Sequence, residues 1–155
     1  ENVSKLIRTA YSVIKSIDPD CEFGVSPGGF YRLLKSDTQY YVDYERWMSE
    51  KGYLDYICPQ IYWSNQHATY PYEETLDHWL SCLKSDVKVY VGIAAYKAGT
   101  KSEEAAWYKN ENVLAEQISY ARNHAASGFM FFRYDTFVDK ANYISLKRML
   151  QELQK

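Results

Sequence analysis

The sequence predicts an α/β fold: four βα units carrying a parallel sheet, one wall of a TIM-type (β/α)8 barrel. Three observations predict it. Strand-like apolar runs begin near residues 22, 55, 88 and 129, with a repeat of about 33 and then about 41 residues. Each gap holds a helical pattern long enough for the crossover that neighbouring parallel strands require. The strands are also two-faced. Over residues 87–96, Val89, Val91 and Ile93 share one side, while Tyr90, Gly92, Ala94 and Tyr96 share the other and mix small with large. A sheet covered by helices on both faces reads as nearly continuous Val, Ile and Leu. One apolar side and one mixed side suit a barrel wall better than an open doubly wound sheet, the other architecture that fits. A whole barrel takes about 250 residues, and this chain has 155. It reads as a single α/β unit over residues 1–155, with no internal linker.

Residues 3–17 place apolar side chains at Val3, Leu6, Ile7, Ala10, Tyr11, Val13, Ile14 and Ile17, the spacing of a helix with one buried face. Asn2 is a plausible cap and Asp18-Pro19-Asp20 a stop. A short strand, CEFGVSP, runs into the Pro27-Gly28-Gly29 turn. A second helix over 40–51 closes at Gly52, a residue that accepts the left-handed conformation of a helix end. The strand LDYICPQIYW follows, with Ile57, Pro59 and Ile61 on its outward side and Tyr56, Cys58, Gln60 and Tyr62 on the inward one. A loop over 64–72 and a helix over 73–84 lead to VKVYVGIAAY, whose β-branched alternation marks it as a strand. A helical region over 101–126, the strand GFMFFRY and a last helix from near Asp139 to near Gln154 complete the order.

Composition excludes several functions. The formal charge of −2, from 18 basic and 20 acidic residues, creates no field to attract nucleic acid or an anionic membrane. No apolar run approaches the ~20 residues of a membrane span, and the opening residues read as an amphipathic helix rather than a signal peptide. A signal could still precede them. Cys21, Cys58 and Cys82 are odd in number and lack CxxC spacing, so they read as buried apolar cysteines rather than disulfides. His78 and Cys82 stand one helical turn apart, but no second pair completes a tetrahedron, and helix packing is the reading. No metal and no cofactor are expected. The 16 Tyr, 6 Phe and 4 Trp give bulky core or, through faces with polar tips, carbohydrate-binding surface.

Parallel α/β folds carry their chemistry at the carboxyl ends of strands. These exits are Ser26-Pro27, Gln60-Ile61-Tyr62-Trp63, Tyr96-Lys97 and Arg133-Tyr134-Asp135. They hold no Gly-rich phosphate loop, no GxSxG elbow and no HExxH. The run F-G-V-S-P at 23–27 with Arg32 beyond it, G-Y-L-D-Y-I-C-P-Q-I-Y-W at 52–63, Tyr72 with Trp79, and V-Y-V-G-I-A-A-Y-K at 89–97 resemble the glycosyl hydrolase-like 10 family (DUF187) in order and spacing. The resemblance covers roughly residues 1–135. It implies a (β/α)8 barrel acting on glycans, typically in the bacterial envelope and extracytoplasmic, where some members cleave the sugar strands of peptidoglycan. It also implies a block of the form D-D-Y-F-Y-P at the end of the fourth strand, ahead of the helix with which this chain starts. The chain is therefore expected to be the second half of the barrel, strands five to eight. The partner covering its sheet edges is expected to be the N-terminal half-barrel or a second copy.

Glycoside hydrolysis uses two carboxyl groups flanking the scissile bond. Asp135 is the carboxylate close to an exit and a catalytic candidate, against a solvated loop residue or helix cap. Asp55 and Glu22 lie at the amino ends of strands, where polar residues serve stability. Glu73 and Glu74 fit a helix's first turn. Gln60, projecting inward, must be met by neighbouring polar groups or by a substrate hydroxyl. Tyr62, Trp63 and Tyr96 could stack on sugar rings or simply pack. Ser26, Arg32 and Lys97 could hydrogen-bond a glycan or be plain loop residues. His67 could orient substrate or shuttle a proton, or do neither. Three functions result: part of a glycoside hydrolase, inactive alone; a non-catalytic carbohydrate-binding or structural module; and an open α/β domain holding a small ligand.

Overall fold

In the computed structural model, which describes residues 1–34, 40–138 and 143–155, the predicted strands stand side by side in chain order. The elements are α1 (Asn2–Ile17), β1 (Gly24–Val25), α2 (Tyr31–Leu34), α3 (Tyr44–Ser49), β2 (Tyr56–Ile57), β3 (Gln60–Ile61), α4 (Tyr72–Ser81), β4 (Lys88–Ile93), α5 (Ala106–Lys109), α6 (Val113–Asn123), β5 (Gly128–Phe131) and α7 (Tyr143–Leu153). Every pairing is parallel. β2 pairs β1 on one side and β4 on the other, β3 also pairs β4, and β5 lies on β4's far side. A doubly wound sheet reverses its strand order at a switch point. Here the order never reverses, which is the winding of a barrel wall.

β2 and β3 are two pieces of one strand. Ile57 faces Val89 and Gln60 faces Gly92, so three residues are traversed on each side of the gap. The same holds toward β1, where Val25 faces Ile57 and Gly28 bridges Gln60. Pro59 makes the gap. Its carbonyl accepts the Gly92 N–H at 3.0 Å, but it has no N–H to give back.

The outward side of the sheet is the core. Ile57, Ile61, Val89, Val91 and Ile93 are buried, as are Leu76 and Trp79 of α4 and Leu114 and Ile118 of α6. Each such side chain contributes about 1.5–3 kcal/mol of transfer free energy. The inward side is half open, with Tyr56 and Tyr90 partly exposed and Met130 and Lys88 exposed. Gly24 and Gly128 give these tyrosines room. A β-carbon at Gly24 would stand 2.3 Å from the Tyr56 ring, and one at Gly128 2.9 Å from that of Tyr90.

Several boundaries differ from expectation. Glu1, not Asn2, occupies the cap position of α1, and no side chain caps it. The second helix is shorter than 40–51, although Gly52 does take the left-handed conformation at φ +88°. The region 101–126 splits into α5 and α6, where the Asn110 side chain accepts the Asn112 N–H at 2.9 Å and turns the chain. The alternation of β4 ends at Ile93, and Ala95–Lys97 forms a 3-10 turn. The strand GFMFFRY ends at Phe131, Tyr134–Val138 forms a 3-10 turn, and the expected start of the last helix at Asp139 lies outside the described residues. Cys21 is exposed rather than buried. Among the described residues no strand pairs with the outer edges of β1 and β5.

Candidate functional site

The predicted residues separate into two groups at the carboxyl ends of the strands. The inner group follows from strand parity, which points Gln60 and Tyr62 to the half-open side. The Gln60 amide nitrogen donates to the Ser26 carbonyl at 2.9 Å and to its hydroxyl oxygen at 3.3 Å. Ser26 Oγ in turn donates to the Cys58 carbonyl at 2.8 Å. Neighbouring polar groups thus meet half of the Gln60 amide, and among the described residues its oxygen accepts no hydrogen bond. Tyr62, Tyr96 and Phe132 form a ring cluster, with centroids 6.4 Å apart for Tyr62–Tyr96 and 5.9 Å for Tyr62–Phe132. Tyr96 is 40% exposed and Phe132 47%, so ring surface is open to a ligand. Lys97 Nζ donates to the Tyr62 carbonyl at 2.6 Å and lies over Trp107, which fixes the exit of β3 to the turn after β4.

Burial disfavours ionisation of two groups on this wall. Burial pushes the Cys58 thiol up to about 11, against a smaller opposing effect from Ser26. It is a neutral thiol at physiological pH and no nucleophile. Burial also raises the Tyr62 phenol, with Cys58 and Tyr96 adding to the effect. Apart from the Lys97 ammonium, which the Tyr62 carbonyl engages, the inner group offers neutral hydrogen-bonding atoms and aromatic faces, which suit hydroxyl-rich ligands.

The outer group lies with α2 and the start of α4. Trp63 turns away from the mouth and is 3% exposed, its ring stacked on Phe30 at 4.4 Å. Gly29 allows that approach, because a β-carbon there would stand 2.8 Å from the indole. His67 Nδ1 accepts the N–H groups of Tyr70 at 3.0 Å and Thr69 at 3.3 Å, so the imidazole organises its own loop. Arg32 pairs with Glu74 at 3.2 Å and lies over Tyr31 and Tyr70. Asp135 is exposed and doubly bonded to Arg133, at 3.0 and 2.8 Å. At the opposite end of the sheet, Asp55 accepts the Phe23 N–H at 2.7 Å and pairs with Lys15 at 2.9 Å, tying α1 to the strands.

Three residues that sequence reasoning passed over shape the mouth. Gln117, buried in the apolar stripe of α6, donates to the Trp63 carbonyl at 2.9 Å. Glu104 accepts the Ser64 N–H at 2.5 Å, and the Gln66 side chain accepts the Ala106 N–H at 3.0 Å. Gln117 was detectable, as an amide among Val113, Leu114, Ile118 and Ala121 that must find a partner. Glu104 and Gln66 sit in loops whose contacts no local pattern encodes.

The profile of the glycosyl hydrolase-like 10 family matches residues 1–109. The chain belongs to the glycosyl hydrolase-like 10 family. Its relatives include "Glycosyl hydrolase DigH" of Escherichia coli (strain K12), 38% identical over 151 residues that cover 86% of this chain and 34% of the relative. The same figures describe its match to the Shigella flexneri protein of that name. "Glycosyl hydrolase YngK" of Bacillus subtilis (strain 168) is 34% identical over 146 residues, 85% of this chain and 28% of the relative. The chain thus spans about a third of the length of these curated relatives. This glycosyl hydrolase-like 10 chain has the α/β fold and parallel sheet of a partial TIM-type barrel. None of its described helices is long and apolar enough to cross a membrane.

Proposed function

We propose that this chain forms the substrate-binding wall of a glycoside hydrolase that cleaves polysaccharide glycans of the bacterial envelope. The observation carrying this reading is the inner group: Ser26, Gln60, Tyr62 and Tyr96 meet at adjacent strand exits, neutral and partly open, on a family member's sheet. Arg32, His67 and Lys97 hold the loops around that wall, and Trp63 packs beneath them. We assign the proton-donating carboxylate to a preceding half-barrel, because Asp135 is engaged by Arg133 in solvent and a general acid needs a site that keeps it protonated. The uncovered apolar stripe of α1, with Leu6 66%, Val13 51% and Ile17 80% exposed, supports such a covering half, as do the open edges of the sheet. From the family resemblance we also propose that the protein works outside the cytoplasm, which cell fractionation checks.

The test is incubation with purified peptidoglycan glycan strands. Binding without product is expected, weakened roughly fivefold in Gln60→Ala and in Tyr96→Ala. Release of shorter glycans by the chain alone refutes the assignment of the acid to another segment, and absence of binding by folded protein refutes the sugar wall. The engaged Asp135 also favours a second reading, a non-catalytic carbohydrate-binding module. Turnover by the longer parent protein excludes it.

A further inference from the structure

Away from the strand mouth, three donors of different chemistry converge where α3 meets the end of α4. His78 and its neighbour one turn on, Cys82, come from α4 and its C-cap, and Glu45 comes from the first turn of α3. The His78 nitrogen, Cys82 sulfur and Glu45 carboxylate all lie within 4.8 Å of one another. His78 Nε2 and Cys82 Sγ are 3.8 Å apart. A nitrogen and a thiolate on one tetrahedral zinc, with their usual bond lengths, stand about 3.6 Å apart. The pair therefore already has nearly the spacing of one edge of a metal site.

The imidazole is held in place. It stacks on Tyr31 with centroids 3.8 Å apart, and Nε2 lies 2.9 Å from the Tyr44 hydroxyl. All three donors are half-buried at a cleft that Asp43, Arg46, Glu50 and Lys84 also line. Each already has protein partners, so a cation would exchange one set of bonds for another. The sequence offered only the i, i+4 pair. The fold adds the third ligand from a separate helix.

The geometry points to a binding site for one thiophilic divalent cation of the zinc class, with Glu45, His78 and Cys82 as its ligands, joining α3 to α4. A borderline-soft cation fits a mixed oxygen, nitrogen and sulfur set, whereas calcium and magnesium select oxygen alone. On binding, the Cys82 thiol releases its proton to solvent and the sulfur bonds the metal as thiolate. Nε2 offers its lone pair, with the ring proton on Nδ1. The Tyr44 hydroxyl turns to the Tyr31 carbonyl, already 3.4 Å away. Three protein ligands leave a fourth position for a solvent oxygen.

The experiment is titration of the chain with Co²⁺ and Zn²⁺, in a Cys21→Ser background that removes the exposed thiol. Saturation at one equivalent, a sulfur-to-cobalt charge-transfer band, and a rise in melting temperature with Zn²⁺ are expected. Cys82→Ser should abolish the band. Glu45→Gln should weaken binding by at least the ~10–100-fold that loss of an outer-shell partner costs. A band that survives Cys82→Ser, or an affinity unchanged in Glu45→Gln, overturns the site. So does failure of the Cys21→Ser protein to take up zinc saturably, a result that needs no ligand variant to fold.

Discussion

The two sides of β4 occupy different surroundings. Val89, Val91 and Ile93 point outward into helices and are at most 1% exposed. Tyr90 and the strand exit beyond it face the half-open side, where tyrosines lean across glycines of the neighbouring strands. One side is close-packed core, which is costly to alter because a cavity left there does not collapse fully. The other is a surface of rings and amides, where a lost side chain is replaced by water. On the proposed reading, stability and ligand recognition are carried by alternate residues of the same strand, and substitutions should separate them.

The largest expected effect is on the outward side. Trp79 of α4 is fully buried against the sheet, and its indole N–H donates to the Gly29 carbonyl at 3.3 Å. Trp79→Ala should cost about 3–5 kcal/mol in denaturant unfolding. A loss below about 1 kcal/mol would mean that the helix layer is not the core. Next comes a test of the inward side's own packing. Gly24→Ala forces the new methyl group into the Tyr56 ring, down to Cγ at 2.5 Å, and should cost about 1–3 kcal/mol. In a Tyr56→Ala background most of that loss should vanish. A double-mutant cycle with no coupling would show that the ring does not lie over the glycine.

Much of this contrast was legible in the sequence, for a physical reason. Period-two alternation fixes which side chains share a face, so the sequence alone assigns Ile57, Ile61, Val89, Val91 and Ile93 to the helix side. Alternation says nothing once the strand ends. Trp63 stands one residue past Tyr62, where the chain is already turning, and its direction is set by Gly29 and Phe30 from a distant loop. The same limit applies to helix ends. One-turn α2 has too few residues to show a period, and the break between α5 and α6 depends on a single asparagine side chain. The apolar pattern of α1 was readable, but not that Leu6, Val13 and Ile17 would stay uncovered, since periodicity counts apolar residues without saying what covers them.

Asp55 sharpens the comparison along the strands rather than across them. Burial pushes its carboxyl upward, but the Phe23 N–H, the Lys15 ammonium and the Tyr11 hydroxyl outweigh that and hold it below the ordinary value of 3.8. A carboxyl with a lower pKa when folded binds fewer protons than in the unfolded chain, so its contribution is complete above about pH 4 and fades as pH falls through the folded value. Asp55→Asn should cost about 1–2 kcal/mol at neutral pH. The gap between the two proteins should close as the solution is acidified below pH ~4. A gap that is constant down to strong acid would mean that shape, not charge, makes Asp55 matter. The carboxylate at the other end of the sheet, Asp135, is exposed, and removing it should leave stability unchanged within about 0.5 kcal/mol.

The smallest expected effect tests the inward side most directly. Met130 faces Gly92 across the β4–β5 pairing and is 41% exposed, whereas Phe129 and Phe131 on either side pack toward the core. Met130→Ser should change stability by no more than about 0.5 kcal/mol, because the side chain gives up little buried surface. Phe131→Ser, one residue away, should cost several times as much. Equal losses at the two positions would mean that the inward face is as closely packed as the outward one. It would then have no room for a glycan, and the reading of Gln60, Tyr62 and Tyr96 as a sugar-binding wall would fail with it.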